Sequence, residues 1–212
     1  MNTKPAGVQI FSAIGAVMAW AAVILQLYLI LVNRVASVPE TLLRFFTFFT
    51  ILSNILVALC FTALAFRPRF GHGNFFSRSG VLSAVTVYIA VVGVIYQLIL
   101  RPAWDPQGLQ MIVDELLHSV MPAYTILFWF LYVPKLTLRW QQVLSWLIFP
   151  LCYLIIILLR GAVTGYYPYP FVNVVKLGYG KAFLNCGMVL LVFLFFSIVL
   201  VVTGSIPKKP AG

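Results

Sequence analysis

The sequence predicts an all-α, polytopic membrane protein in which six transmembrane helices form a single domain over residues 1–212. Three observations carry that expectation. The chain is 63% hydrophobic and 8% charged, where a soluble domain holds about 25% charged residues. Six apolar runs each reach the roughly 20 residues that a helix needs to cross a bilayer. The connections between the runs are short and rich in turn and breaker residues, and none is long enough to form a soluble second domain.

The predicted spans are approximately 8–32, 42–66, 80–100, 111–132, 140–159 and 182–204. Only Gln9 and Gln26 are strongly polar in the first. That run is too long for the apolar core of a signal peptide, and no small-residue cleavage site follows it, so it is read as a helix. The second opens with Arg44. The fifth carries Trp140 and Trp146 near one interface, where indole rings favour the headgroup level. Separators include Ser37-Val38-Pro39, Arg67-Pro68-Arg69 with Gly71-His72-Gly73, Arg101-Pro102 with Asp105-Pro106, Val133-Pro134 and Ile206-Pro207. Each gap is short except Arg160 to Lys181. No internal repeat supports an inverted-repeat transporter. Cys60, Cys152 and Cys186 all fall within apolar runs, which points to packing and not to a disulfide or metal site.

The net charge is +10, but the basic residues are spread over loops beside the spans, so no nucleic-acid partner is expected. Lys4, Arg67, Arg69, Arg78, Lys135, Arg139, Lys208 and Lys209 share one side with no acid. Arg34, Arg44, Arg101, Arg160, Lys176 and Lys181 share the other with all four acids. The more basic side faces the cytoplasm by the positive-inside rule, which puts both termini there.

The chemistry is expected in two polar stripes. Asp114, Glu115 and His118 stand near the start of the fourth span, and His118 is the only histidine within a span. Ionisable groups are expensive in hydrocarbon, so by default they face a cavity or another helix and mark a functional site. Arg44, Thr47, Thr50 and Asn54 follow one face of the second span, with Ser53 widening the stripe. Both spans start on the same side. At 1.5 Å per residue, Thr50 is about 12 Å below residue 42 and His118 about 10 Å below residue 111, so the two meet in depth. A threonine hydroxyl becomes a nucleophile when a neighbouring base takes its proton, and neutral imidazole suits that task. Asp114 or Glu115 can orient the ring. Arg44 can neutralise the carboxylate, stabilise an oxyanion or hold a substrate carboxylate. A site at that depth admits a lipid ester moving in sideways, so membrane lipids or a lipid ester are the expected partners. No metal or cofactor is implied. The aromatic segment from Arg160 to Phe171, including Tyr167 and Tyr169, is expected either to anchor at the interface or to wall the pocket.

Three segments together resemble the androgen-induced membrane hydrolase family: Phe49-Thr50-Ile51-Leu52-Ser53-Asn54, Leu117-His118-Ser119-Val120-Met121-Pro122, and Thr164-Gly165-Tyr166-Tyr167-Pro168-Tyr169-Pro170-Phe171. The resemblance implies an intramembrane threonine hydrolase of a bacterial six-pass type, in a bacterial inner membrane. It matches the nucleophile to Thr50 and the base to His118, with Thr47 as the alternative nucleophile. Animal members of the family cleave fatty acid esters of hydroxy fatty acids. They carry an Asn-His pair just upstream of the base, where Asp114-Glu115 stands here.

Other functions use the same residues. A small transporter or channel needs polar groups across the whole bilayer; here the third and fifth spans are almost wholly apolar beyond Gln97, and the inner half of the fourth offers only Tyr124 and Thr125. A haem carrier needs two axial ligands, and one intramembrane histidine supplies one. A non-catalytic membrane assembly protein remains compatible with every residue. Neither Gly-x-Ser-x-Gly nor His-Glu-x-x-His is present in the sequence.

Overall fold

A computed structural model of the chain describes residues 5–71 and 74–205. Lys4, His72, Gly73, Ile206, Pro207, Lys208 and Lys209, named above, lie outside the described residues. The described residues form helices and turns, and six of the helical stretches are long and apolar enough to cross a membrane. The protein is an integral membrane protein of all-α class.

The first span is one helix, α1 (Pro5–Val32). A short helix, α2 (Val38–Phe46), leads into the second span, α3 (Phe49–Phe66). The third is α4 (Ser79–Ile95), prolonged by a π turn at Tyr96–Leu100 and a 3-10 turn at Arg101–Ala103. The fourth is α5 (Leu109–Glu115), a π turn at Leu116–Val120, and α6 (Met121–Tyr132). The fifth is α7 (Gln141–Trp146) followed by α8 (Ile148–Thr164). The sixth is α9 (Val174–Ser205), which changes direction at Gly178, where φ is 76°.

Helix α4 is central: every residue from Leu82 to Gly93 is buried. Its polar groups are satisfied locally or by neighbours. Thr86 donates to the carbonyl of Leu82, Ser83 to that of Ser79, and the Trp129 indole donates to Ser83 Oγ at 2.7 Å. The last of these joins two helices where no hydrophobic effect can, since lipid is as apolar as leucine. Small residues do the same by close approach. Gly15 lies under the Phe61 ring, and Ala19 and Ala22 are buried along the same side, so α1 packs most extensively against α3.

Three expectations need correction. The second span is not one helix from 42 to 66. The chain breaks at Thr47–Phe48, where Phe48 is extended (φ −82°, ψ 120°). The freed groups are satisfied: Thr47 Oγ1 donates to the carbonyl of Arg44 at 2.6 Å, and the Tyr153 hydroxyl donates to the carbonyl of Thr47 at 2.7 Å. Arg44 therefore does not share a continuous helical face with Thr50, and the depth count from residue 42 fails. The long fifth connection is also shorter than expected. Helix α8 runs on to Thr164 and α9 starts at Val174, so Arg160 is helical. Cys152 is exposed on the surface of the chain, whereas Cys60 and Cys186 are buried.

Candidate active site

The break at Thr47–Phe48 puts Thr50 in the first turn of α3, where backbone N–H groups lack helical acceptors. The Thr50 N–H donates to the Tyr169 hydroxyl at 3.3 Å, and Thr50 Oγ1 lies 3.5 Å from the same oxygen. Tyr169 is held in turn by a stack on Phe171, ring centroids 5.2 Å apart. Burial raises the Tyr169 phenol above its ordinary value, so it stays protonated at neutral pH. Thr50 and Tyr169 form part of the wall of a narrow apolar cleft between α3, α4, α8 and α9, partly open to the outside and with a cavity volume of about 70 Å³. Phe49, Tyr153, Ile157 and Phe193 complete much of that wall.

His118 stands on the neighbouring span, within the π turn at Leu116–Val120. Its Nδ1 is 2.9 Å from the backbone carbonyl of Asp114 and 3.4 Å from Asp114 Oδ1. Both are acceptors, so Nδ1 is the nitrogen that carries a proton here, which leaves Nε2 as the one to take up or give up another. Asp114 is buried, and its other oxygen accepts a short hydrogen bond from the Tyr96 hydroxyl. The Tyr96 ring lies nearly flat on the imidazole, centroids 4.1 Å apart at 17°. Tyr96 belongs to the second π turn, so two such turns face each other here. π turns inside helices recur at functional sites because they re-aim side chains.

Asn54 links the two halves. Its amide donates to the carbonyl of Thr50 at 2.9 Å and to that of Leu117, next to His118, at 3.2 Å. The nucleophile candidate and the base candidate therefore sit on adjacent elements joined by one buried amide. They do not hydrogen-bond to each other: Thr50 Oγ1 meets Tyr169, and His118 is not among the residues lining the cleft. Ser53 is buried, and its hydroxyl has no partner among the described residues.

The other candidates divide. Asp114 orients the imidazole, whereas Glu115 points away and accepts from Arg101 and Ser119 in a half-exposed network with Gln97. Arg44 reaches neither carboxylate. It pairs with Glu40 at 2.7 Å and lies 4.3 Å from the centre of the Tyr166 ring. Tyr167 packs over Gly161 and does not line the cleft, but Tyr169 does. Pro122 packs against Gly93 directly after the π turn. Tyr96 and Tyr153 went unpredicted. Both are aromatic residues inside apolar runs, and their partners, Asp114 and the Thr47 carbonyl, come from other elements. No family model, curated protein or solved structure matches the chain.

Proposed function

We propose that the protein is an intramembrane hydrolase of lipid esters, with Thr50 as nucleophile and His118 as general base. The observation that carries this reading is a hydroxyl set in the wall of an apolar cleft, with a carboxylate-oriented imidazole on the adjacent span, the two elements joined by the Asn54 amide. The resemblance in sequence implies the same pair, and it adds fatty acid esters of hydroxy fatty acids as the substrate class and a bacterial inner membrane as the location. The balance of Lys and Arg supports cytoplasmic placement of both termini.

In this mechanism the Thr50 side chain turns from Tyr169 toward the imidazole as the ester settles, since catalytic hydrogen bonds commonly tighten only with substrate bound. His118 Nε2 takes the Oγ1 proton as the oxygen attacks the acyl carbon. The Tyr169 hydroxyl stabilises the developing oxyanion. The imidazolium returns its proton to the departing alcohol, leaving an acyl ester on Thr50. Water, deprotonated by the same nitrogen, then releases the fatty acid and restores the threonine.

A second reading is a non-catalytic lipid-binding or assembly protein. It is favoured by one observation, that Thr50 and His118 share no hydrogen bond among the described residues. A fluorophosphonate probe separates the two. The hydrolase reading expects labelling that Thr50→Ala and His118→Ala each abolish, with the adduct on Thr50 by mass spectrometry. Thr47, whose hydroxyl is already bonded to the Arg44 carbonyl, should carry none. Labelling that survives both changes, or never occurs, sinks the hydrolase.

A further inference from the structure

One charged nitrogen at the end of α8 has no acceptor among the described residues. Arg160 Nη1 is buried and has no hydrogen-bond partner among the described residues, although Nη2 of the same guanidinium donates to Glu40 at 2.8 Å. A buried guanidinium N–H without an acceptor is costly, and in native proteins such a group calls for a missing partner. The same Glu40 oxygen also accepts from Arg44 Nε. Two guanidinium groups thus share one carboxylate oxygen, with Tyr166 lying against both at 4.3 and 5.0 Å. The terminal nitrogens of Arg44 make no hydrogen bond among the described residues. The group carries one excess positive charge, which a monoanion balances.

Its position says what kind of monoanion. Pro150, Tyr153, Leu154 and Ile157 of α8 line the cleft, and their spacing defines one helical face. Arg160, three residues past Ile157, continues that face. From Pro150 to Arg160 the helix rises about 15 Å. The cleft-lining stripe of α8 thus leads toward the cationic group, which stands beyond the residues that line the cleft. A planar carboxylate suits the fork of a guanidinium, and an attached alkyl chain suits the cleft.

We propose that Arg160 and Arg44 form a head-group site that selects lipids bearing a free carboxylate, the chain lying in the apolar cleft. This rests on the cleft being the ligand chamber of the proposed function. It does not rest on the Thr50–His118 chemistry. In a hydrolase, the site makes a carboxylate-bearing ester a better substrate than its neutral counterpart.

Equilibrium binding in lipid nanodiscs tests it, on the Thr50→Ala chain so that no hydrolysis intervenes. The probes are palmitate, methyl palmitate, lysophosphatidate and acetate. Palmitate should bind saturably, and Arg160→Gln should weaken it about tenfold or more, while methyl palmitate binding stays the same. Arg160→Lys should recover only part, because it restores charge without the fork. Should Arg160→Gln fail to fold, Arg44→Gln must give the same selective loss. The proposal is overturned if acid and methyl ester respond alike, or if palmitate binding is unchanged. It is also overturned if acetate competes as well as palmitate, or if lysophosphatidate binds more tightly through the same arginines. These outcomes do not depend on probe labelling of Thr50, so either reading can fail alone.

Discussion

Tyr96 and His118 lie face to face, ring centroids 4.1 Å apart, while the Tyr96 hydroxyl donates to the Asp114 carboxylate that sits beside His118 Nδ1. One phenol therefore fixes the imidazole twice, by stacking and through its carboxylate partner. Asp114→Asn should slow probe labelling by about 10²–10⁴-fold, the range that general-base catalysis contributes. Tyr96→Phe keeps the stack and removes only the hydrogen bond, so its loss should be smaller. Labelling rates at saturating probe check this. Weaker probe affinity with unchanged rate would show that both residues merely shape the fold.

The Asn54 amide touches backbone of both candidate elements. Its bonds are made in a buried, water-poor place, where an interhelical hydrogen bond contributes roughly 1–2 kcal/mol in favourable cases. Asn54→Ala should lower stability in detergent by about that amount, measured by thermal unfolding. Labelling should fall with it, because Thr50 and Leu117 lose their common tether. A stability loss with full labelling would mean that the tether does not align the pair.

How far the sequence could be read follows from the range of each interaction. Six spans were legible because an apolar run of bilayer length is rare in a chain that folds in water. The Asp114–His118 contact was legible because four residues make about one helical turn, and the π turn that holds His118 leaves that pairing intact. The break at Thr47–Phe48 was not legible: it contains neither proline nor glycine. It is satisfied by Tyr153, which lies 106 residues further along the chain. The sequence offered Arg44 as a partner for Asp114 or Glu115, and it went instead to Glu40. Helix spacing allows that pair too, and Arg160 from α8 reinforces it. Tyr169 was marked by the resemblance and by its aromatic setting, but its hydrogen bonds to Thr50 depend on how the segment after α8 folds back.

Glu40 gives a pH dependence with a definite sign. Hydrogen bonds from Arg44 first, and then from Arg160, hold its carboxyl below the ordinary value of 4.5. A group whose folded value is depressed stabilises the fold above its unfolded value, and that contribution disappears as pH falls through the folded value. Thermal unfolding between neutral pH and pH about 3 should therefore show an acid limb beginning near the ordinary carboxylate range. Glu40→Gln should flatten that limb. The pair is only partly buried, so added salt should shrink the difference between the two chains. Parallel acid limbs for both would assign the effect to other carboxylates.

Gly161 tests whether the segment after α8 sets the site. A Cβ added there would collide with Cε1 and Cζ of the Tyr167 ring. No real side-chain carbon stands so close, so Tyr167 must move. Tyr167 precedes Tyr169 by two residues, and Tyr169 holds the Thr50 N–H. Gly161→Ala should therefore destabilise by about 1–3 kcal/mol, as overpacking does, and should also weaken labelling at Thr50. Adding Tyr167→Ala removes the obstructing ring, so the double variant should regain stability lost by the single change. Thermal unfolding of the three variants measures the coupling. If the two substitutions add without coupling, Tyr167 is not what the missing side chain at 161 accommodates. If stability recovers but labelling does not, the Tyr167 ring itself is needed to place Tyr169.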